Sequence, residues 1–386
     1  MPESVTRNPE ISTKRKDRFN DYPFLAPRFW HGMQTSDWFR LIGKNNYRID
    51  RWPMAGFVTA FAAFNSVAAR VQQAIYGQRI NRTPLASEPV FIVGHWRTGT
   101  TLLHELMALD PRYHTPNTYQ CFAPRHFLLT EDIVTKILAL PGRRPMDNMQ
   151  MGWNNPQEDE FALCSMGIPS TYLRSAFPNH DACHLEYLDL EALPEADRDI
   201  WKAGLLEFVK VMNFAVKKPL VLKSPPHTGR IRALLEVFPK AKFVHISRNP
   251  YDFIPSTMYL WEALDASNGL QIPNGKLKVS DYTFECFDRM YSAYNRHREL
   301  IPADRLVEMR YEDLVTDALG TCERIYRQLQ LGEFSTVSAR FRQMMESKRS
   351  YKRNKHQISA TLSDRIAQHC AEYMDQFGYS GKVVAA

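Results

Sequence analysis

With 386 residues, 44% of them apolar and 24% charged, the chain can form one large domain or two small ones and has the make-up of an ordinary soluble globular protein. A formal net charge of +7 suits an anionic partner: a nucleotide, a nucleic acid or a lipid surface. The densest basic run, Lys348-Arg349-Ser350-Tyr351-Lys352-Arg353-Asn354-Lys355, is too short to argue for nucleic acid; it reads as a solvated segment unless a phosphate ligand recruits it.

In chain order, residues 1–22 are polar and charged and are expected to form a loosely attached tail. They contain no apolar core of the kind a secretory signal needs, so a cytoplasmic location is expected. Residues 23–82 read as a helical N-terminal extension of a single domain covering 23–386. Within it, Met54 to Ala69 is the most apolar stretch of the chain. Broken by Asn65 and followed by Arg70, it is expected to be a buried core helix too short to cross a bilayer. The competing reading is an interfacial helix with peripheral membrane contact, supported by the nearby pairs Phe29-Trp30 and Trp38-Phe39.

From residue 89 the grammar changes. Val90 to Val93 is a short apolar run that suits a fully buried strand, and Thr100 to Leu109 carries a helical apolar face. Strands are expected again at Leu220–Leu222, Phe243–Ile246 and Leu306–Met309. Helices are expected after them: one with Ile231, Leu234 and Leu235, one over Met258–Leu264, and one with Leu319, Cys322 and Tyr326. Trp201–Val216 and Tyr282–Leu300 read as amphipathic helices. Strands alternating with helices predict an α/β fold, a parallel P-loop-type sheet flanked by helices on both faces. The six cysteines are scattered and are expected to be reduced and buried. The cluster His180-Asp181-Ala182-Cys183-His184 has no second ligand pair at zinc spacing, so no metal is expected.

Each apolar run leads to a cation: Arg97, Lys223, Arg248 and Arg310. Ligands of open parallel sheets bind beyond the carboxyl ends of the strands, so four cations aimed at one crevice point to a polyanion. Gly94-His95-Trp96-Arg97-Thr98-Gly99-Thr100-Thr101 has the length of a phosphate-binding loop between strand and helix. Thr100 stands where a nucleotide kinase has lysine, and no core strand ends in an Asp to hold magnesium. A donor handled without a metal is expected instead.

Together these segments resemble the PAPS-dependent sulfotransferases, where PAPS is 3′-phosphoadenosine 5′-phosphosulfate, and within them the broad bacterial and Golgi-like branch. The resemblance covers about residues 88–356. Arg97-Thr98-Gly99-Thr100-Thr101 resembles the loop that binds the 5′-phosphosulfate. Arg248-Asn249-Pro250-Tyr251-Asp252, with Ser256 eight residues after Arg248, resembles the segment that holds the 3′-phosphate. Arg310-Tyr311-Glu312-Asp313-Leu314 resembles the segment beside the adenine, placing Tyr311 there, and Arg353 of the basic run is a further candidate contact to the donor. Lys223 matches the lysine that neutralises the bridging oxygen as sulfonate leaves.

The family's histidine base has no match, because Pro225 stands at its position in Lys223-Ser224-Pro225-Pro226-His227. The glutamate used by other branches has none either, in Asn117-Thr118-Tyr119-Gln120. Three candidates stay open: the run Glu158-Asp159-Glu160, His227, and His104 on the first helix, each with a structural reading as well. The acids could simply enrich a helix N-terminus, His227 could orient its loop, and His104 could be a core residue. The implied reaction moves a sulfonate from PAPS to an acceptor hydroxyl by in-line displacement with a general base. The acceptor side is expected within residues 112–200, whose aromatics are mostly core but could line an apolar or lipid-like pocket. A P-loop kinase and a non-catalytic nucleotide-binding protein are the competing functions.

Overall fold

Four short strands build the central sheet; three are buried on both faces, and the fourth, Leu306–Arg310, is buried on alternate residues only. The computed structural model describes residues 11–13, 22, 26–28, 30–45, 51–138, 140, 142–144, 146, 149–179, 184–271, 273–275, 277–348 and 356–379. Its strands are β1 (Ile11–Thr13), β2 (Val90–Val93), β3 (Val221–Lys223), β4 (Lys242–Ser247), β5 (Leu306–Arg310) and β6 (His356–Ile358). β2 to β5 form one sheet in the order β3-β2-β4-β5, and every neighbour is parallel. β1 and β6 pair separately and antiparallel.

The helices are α1 (Thr35–Lys44), α2 (Trp52–Arg82), α3 (Thr100–Met107), α4 (Thr118–Phe122), α5 (Phe127–Ile137), α6 (Asp159–Ser165) and α7 (Glu195–Val216). They continue with α8 (Ile231–Val237), α9 (Pro250–Asn268), α10 (Val279–His297), α11 (Tyr311–Thr316), α12 (Ala318–Gln328), α13 (Ser335–Ser347), α14 (Ala360–His369) and α15 (Ala371–Gln376). The pleat divides the core. Phe91, Val93, Leu222 and Phe243 face a cluster built by α7, α8, α9 and α10, while Val90, Ile92, Val221, Val244 and Ile246 face α3, α12 and α13.

The chain leaves β2 for β3 on one side and returns to β4 on the other. That reversal opens a crevice beyond the carboxyl ends of β2 and β4, where open parallel sheets take their ligands.

The expected elements are present with shifted ends. β3 runs one residue later than expected and ends on Lys223 itself. α9 begins well before Met258, at Pro250: Asn249 accepts the Tyr251 N–H at 3.0 Å as its cap, and proline occupies the first turn, where it costs no hydrogen bond. α10 stops at His297, and one 3₁₀ turn carries the chain on to Leu300.

The apolar N-terminal helix differs more. α2 is 31 residues long, so length and apolarity alone would let it cross a membrane, contrary to the shorter core helix expected. One side is fastened to the domain: Asn65 donates to the carbonyls of His31 and Met33, and Gln72 accepts the Leu128 N–H. Val58 and Ala62 on that side join Trp30, Trp38, Leu173 and Phe177 in a third apolar cluster.

Candidate active site

The loop after β2 turns through backbone conformations that its glycines permit. Gly94 has φ 144° and Gly99 φ 104°, and Arg97 between them is also left-handed at φ 68°. A Cβ on Gly94 would lie 2.5 Å from the Ile246 carbonyl oxygen, and one on Gly99 would run into the Tyr311 ring. Two bonds brace the turn: the Gly94 N–H donates to Thr228 Oγ1 at 2.7 Å, and Thr98 Oγ1 donates to the His95 carbonyl at 2.7 Å. Gly99 caps α3, which starts at Thr100 with Thr101 next. The first-turn N–H groups of a helix have no partner within it and suit an anion.

A second group of residues closes the β4 side of the crevice. Arg97 Nε donates to Ser256 Oγ at 3.0 Å, which brings the loop arginine onto α9. Arg248 Nη1 donates to the Arg97 carbonyl at 2.9 Å, and its guanidinium lies over the Tyr311 ring at 4.7 Å. Arg97, Arg248, Ser256, Gly99 and Tyr311 therefore meet, although they come from three separate segments. Arg353 lies outside the described residues, as do His180 to Cys183. Lys348, the one described member of the basic run, is paired with Glu105.

Arg310 departs from the expected convergence of four cations. On β5 it shares a face with Glu308, and its guanidinium sits over the Tyr379 ring at 4.6 Å. It borders an open cleft with Glu312, Asp313, Asp317 and Arg324. The period-two alternation of an edge strand sends it away from the loop.

Across the crevice, the run Glu158-Asp159-Glu160 docks residue by residue on the segment after β3. Glu158, the N-cap of α6, accepts from Lys223 Nζ at 2.5 Å through Oε1 and from the Tyr172 hydroxyl at 2.6 Å through Oε2. Asp159 Oδ2 lies 2.6 Å from His227 Nε2, and its Oδ1 accepts from Ser224 Oγ at 2.9 Å. Glu160 takes two bonds from Arg230, at 2.6 and 3.0 Å, and one from Ser170 Oγ at 2.5 Å.

Burial separates the three. Asp159, Glu160, His227 and Arg230 are fully enclosed, with His227 edge-on to Phe91 and Trp201. Burial alone would raise the Asp159 carboxyl, but the His227 ring and the Ser224 hydroxyl hold it below its ordinary value. The Glu158 side chain keeps 12% exposure beside the 3% of Lys223. Burial, and after it the Glu158 carboxylate, pushes the Tyr172 hydroxyl far above its ordinary value, so it remains a donor. Tyr172 also accepts from Trp96 Nε1 at 2.7 Å, which links the phosphate-type loop to Glu158. His104 is buried and, chiefly by that burial and then by Lys223, is pushed down to about 3, which keeps it neutral.

Arg230, Thr228, Ser224, Trp96 and Tyr172 are site residues that reading the sequence for motifs does not single out. The bases Lys223, His227 and Arg230, at steps of four and three residues, meet the three consecutive acids in the same chain order, a match that the sequence spacing does not reveal. Of the aromatics between residues 112 and 200, Tyr119, Phe127, Phe161 and Phe177 are core, and Tyr172 reaches the site.

A model of the sulfotransferase family matches residues 89–336. The chain is 40% identical over 371 residues, 95% of each chain, to the omega-hydroxy-beta-dihydromenaquinone-9 sulfotransferase Stf3 of Mycobacterium tuberculosis. The same figures hold for Stf3 of Mycobacterium bovis. In fold it is similar to sulfotransferase STF9 from Mycobacterium avium, with a TM-score of 0.65 and 22% identity over 89% of this chain and 97% of that one. Sulfotransferase STF1 from Mycobacterium tuberculosis gives a TM-score of 0.58 and 18% identity, covering 87% of this chain and 89% of that one.

Proposed function

The chain belongs to the sulfotransferase family, and on that premise we propose that it transfers sulfonate from PAPS to the hydroxyl of a lipid-like acceptor, with Glu158 as general base. The observation that carries the reading is the contact of Lys223 Nζ with Glu158 Oε1 at 2.5 Å on the far side of the crevice from Arg97 and Arg248. It puts a cation for a leaving oxygen beside a carboxylate for an incoming hydroxyl.

The residues fit the donor. Gly94 and Gly99 leave room a side chain would fill, and the start of α3 with Thr98, Thr100 and Thr101 offers N–H and hydroxyl donors to a 5′-phosphosulfate. Arg248 and Ser256, joined through Arg97, would hold the 3′-phosphate, Tyr311 would flank the adenine, and Arg353 would add a further cation. When bound, PAPS supplies an electrophilic sulfur and a phosphate leaving group.

Glu158 would take the acceptor's hydroxyl proton as the new O–S bond forms. Lys223 would neutralise the bridging oxygen that keeps the electron pair of the broken S–O bond. The three N–H donors of Lys223 would let it keep Glu158 in place while it turns to the bridging oxygen, and Tyr172 would hold Oε2, leaving Oε1 to face the acceptor. His227 and Glu160 are enclosed, so we assign them, with Asp159 and Arg230, to positioning: they anchor the segment that presents Lys223 and the Thr228 hydroxyl that holds Gly94.

The lipid-like acceptor rests on the kinship with Stf3, whose name specifies a hydroxylated menaquinone derivative. The test is incubation with labelled PAPS and a panel of a long-chain isoprenoid alcohol, a phenol, a simple alcohol and a sugar. Labelled isoprenoid sulfate is the expected product. Transfer to none of them, or preference for the sugar, would overturn the acceptor assignment.

A further inference from the structure

We infer that the outward face of α2 docks on an anionic lipid bilayer, holding the enzyme at a membrane surface without crossing it. The proposal rests on the lipid-borne acceptor above for its purpose, but its evidence is independent of that reading.

A surface helix ordinarily sets an apolar stripe toward the core and polar residues toward water. α2 does not. Its inner side is fastened through Asn65 and Gln72, yet its outer side carries Trp52, Phe64, Val67, Val71 and Ile75 at 66%, 50%, 62%, 43% and 53% exposure. The last four recur at steps of three and four residues and so lie along one face. From Phe64 to Ile75 the stripe runs for roughly 17 Å at the rise of an α-helix, with Trp52 exposed at the start of the helix. Phe39 of α1 and Ile133 and Ile137 of α5 are exposed as well. A patch of this extent on a folded protein marks an interaction surface.

Charge selects the occupant. α2 contains no Asp or Glu; Arg70 borders the stripe, and Arg79 and Arg82 stand in its last turn. A bilayer bearing anionic head groups satisfies both features at once, taking the apolar side chains into the acyl boundary and the arginines among the phosphates. A second copy of the chain would meet the same stripe in an isologous contact and bring like cations together with no acid on either helix to offset them. The polar bonds of the inner side keep α2 on the domain, so it lies in the membrane plane.

The face is also on the acceptor side of the molecule. Phe64 packs edge-on to His126 at the start of α5, 5.7 Å between centroids. From the neighbouring α4, Phe122 packs on Phe161, and Phe161 on Tyr172, whose hydroxyl bonds Glu158.

The test is co-sedimentation of the full chain with vesicles, without donor or acceptor present. Wild type should sediment with phosphatidylglycerol–phosphatidylcholine vesicles and bind pure phosphatidylcholine at least about ten-fold less. Val67→Glu/Val71→Glu should lose about ten-fold or more of the anionic binding while its melting temperature and its transfer to a short, water-soluble acceptor stay unchanged. If that variant melts early, Trp52→Glu at the exposed end of the helix gives the same readout. Wild type left in the supernatant, or stripe variants that bind as wild type does, would overturn the proposal. So would a wild-type dimer that the variants dissociate. Failure to sulfonate a long-chain alcohol would sink the acceptor reading and leave the vesicle result standing.

Discussion

Glu158→Gln tests the base most directly. The substitution keeps size and hydrogen-bonding capacity but removes the group that can hold the acceptor's proton. Two effects must be separated. Glu158 accepts from Lys223 at 2.5 Å and Tyr172 at 2.6 Å, and Lys223 is 3% exposed. An amide oxygen can still accept one of those bonds, and the retained exposure of the carboxylate softens the loss, so the stability cost should be about 1–3 kcal/mol. Loss of a general base should lower turnover by about 10²–10⁴-fold, or about 3–5 kcal/mol in the barrier. Turnover per folded molecule, melting temperature and affinity for 3′-phosphoadenosine 5′-phosphate measure the three quantities. Repeating the change in a Lys223→Met background gives a double-mutant cycle. A carboxylate that acts only by holding Lys223 would add nothing there, whereas a base should still cost about ten-fold or more. Near-wild-type turnover in Glu158→Gln would refute the assignment.

Arg248→Ala should weaken binding of 3′-phosphoadenosine 5′-phosphate by about 2–4 kcal/mol, read by calorimetry; Arg248→Lys should recover little, because an ammonium cannot both reach the Arg97 carbonyl and lie flat over Tyr311. Unchanged affinity would contradict the 3′-phosphate assignment. The same calorimetry in EDTA should give undiminished binding, and its loss on chelation would mean that a metal ion belongs to the site. Gly99→Ala should cost about 2 kcal/mol or more in donor affinity, since φ 104° and the Tyr311 ring both reject a methyl group. Wild-type affinity in that variant would argue against the loop as the phosphosulfate site. Burial holds His31, His95, His104 and His245 down to about 3. Their ordinary value is about 6.5, so the unfolded chain takes up protons the native one refuses. Their contribution is therefore complete above about pH 6.5 and lost on acidification, at up to about 1.4 kcal/mol per pH unit for each. His245 is stacked between Tyr294 and Phe377, so His245→Phe should fit and make the fall of melting temperature below pH 6.5 shallower; an unchanged slope would refute the account.

What the sequence alone determined is local in the chain. The buried strands show as short apolar runs, because a strand covered on both faces needs no polar alternation. The phosphate-type loop shows because its glycines must lie between a strand and a helix, and Lys223 and Arg248 show because each ends or follows such a strand. Ser256 beside Arg248 is what the family resemblance implied, and in the structure the two are joined through Arg97 of the loop. What only the tertiary structure decided are meetings between distant segments. Glu158, Asp159 and Glu160 are equivalent acids in the sequence, yet one faces the crevice and two are enclosed, since their partners Lys223, His227 and Arg230 lie 65 to 70 residues away. Arg310 had the same local signature as Arg248, but the fold sets it over the Tyr379 ring at an open cleft with Glu312 and Asp313. The length of α2 was hidden behind Arg70, a residue its solvent side accommodates, and which of its apolar residues face outward depended on Asn65 and Gln72 finding partners on other segments. Periodicity reports which residues avoid water; packing decides which of them succeed.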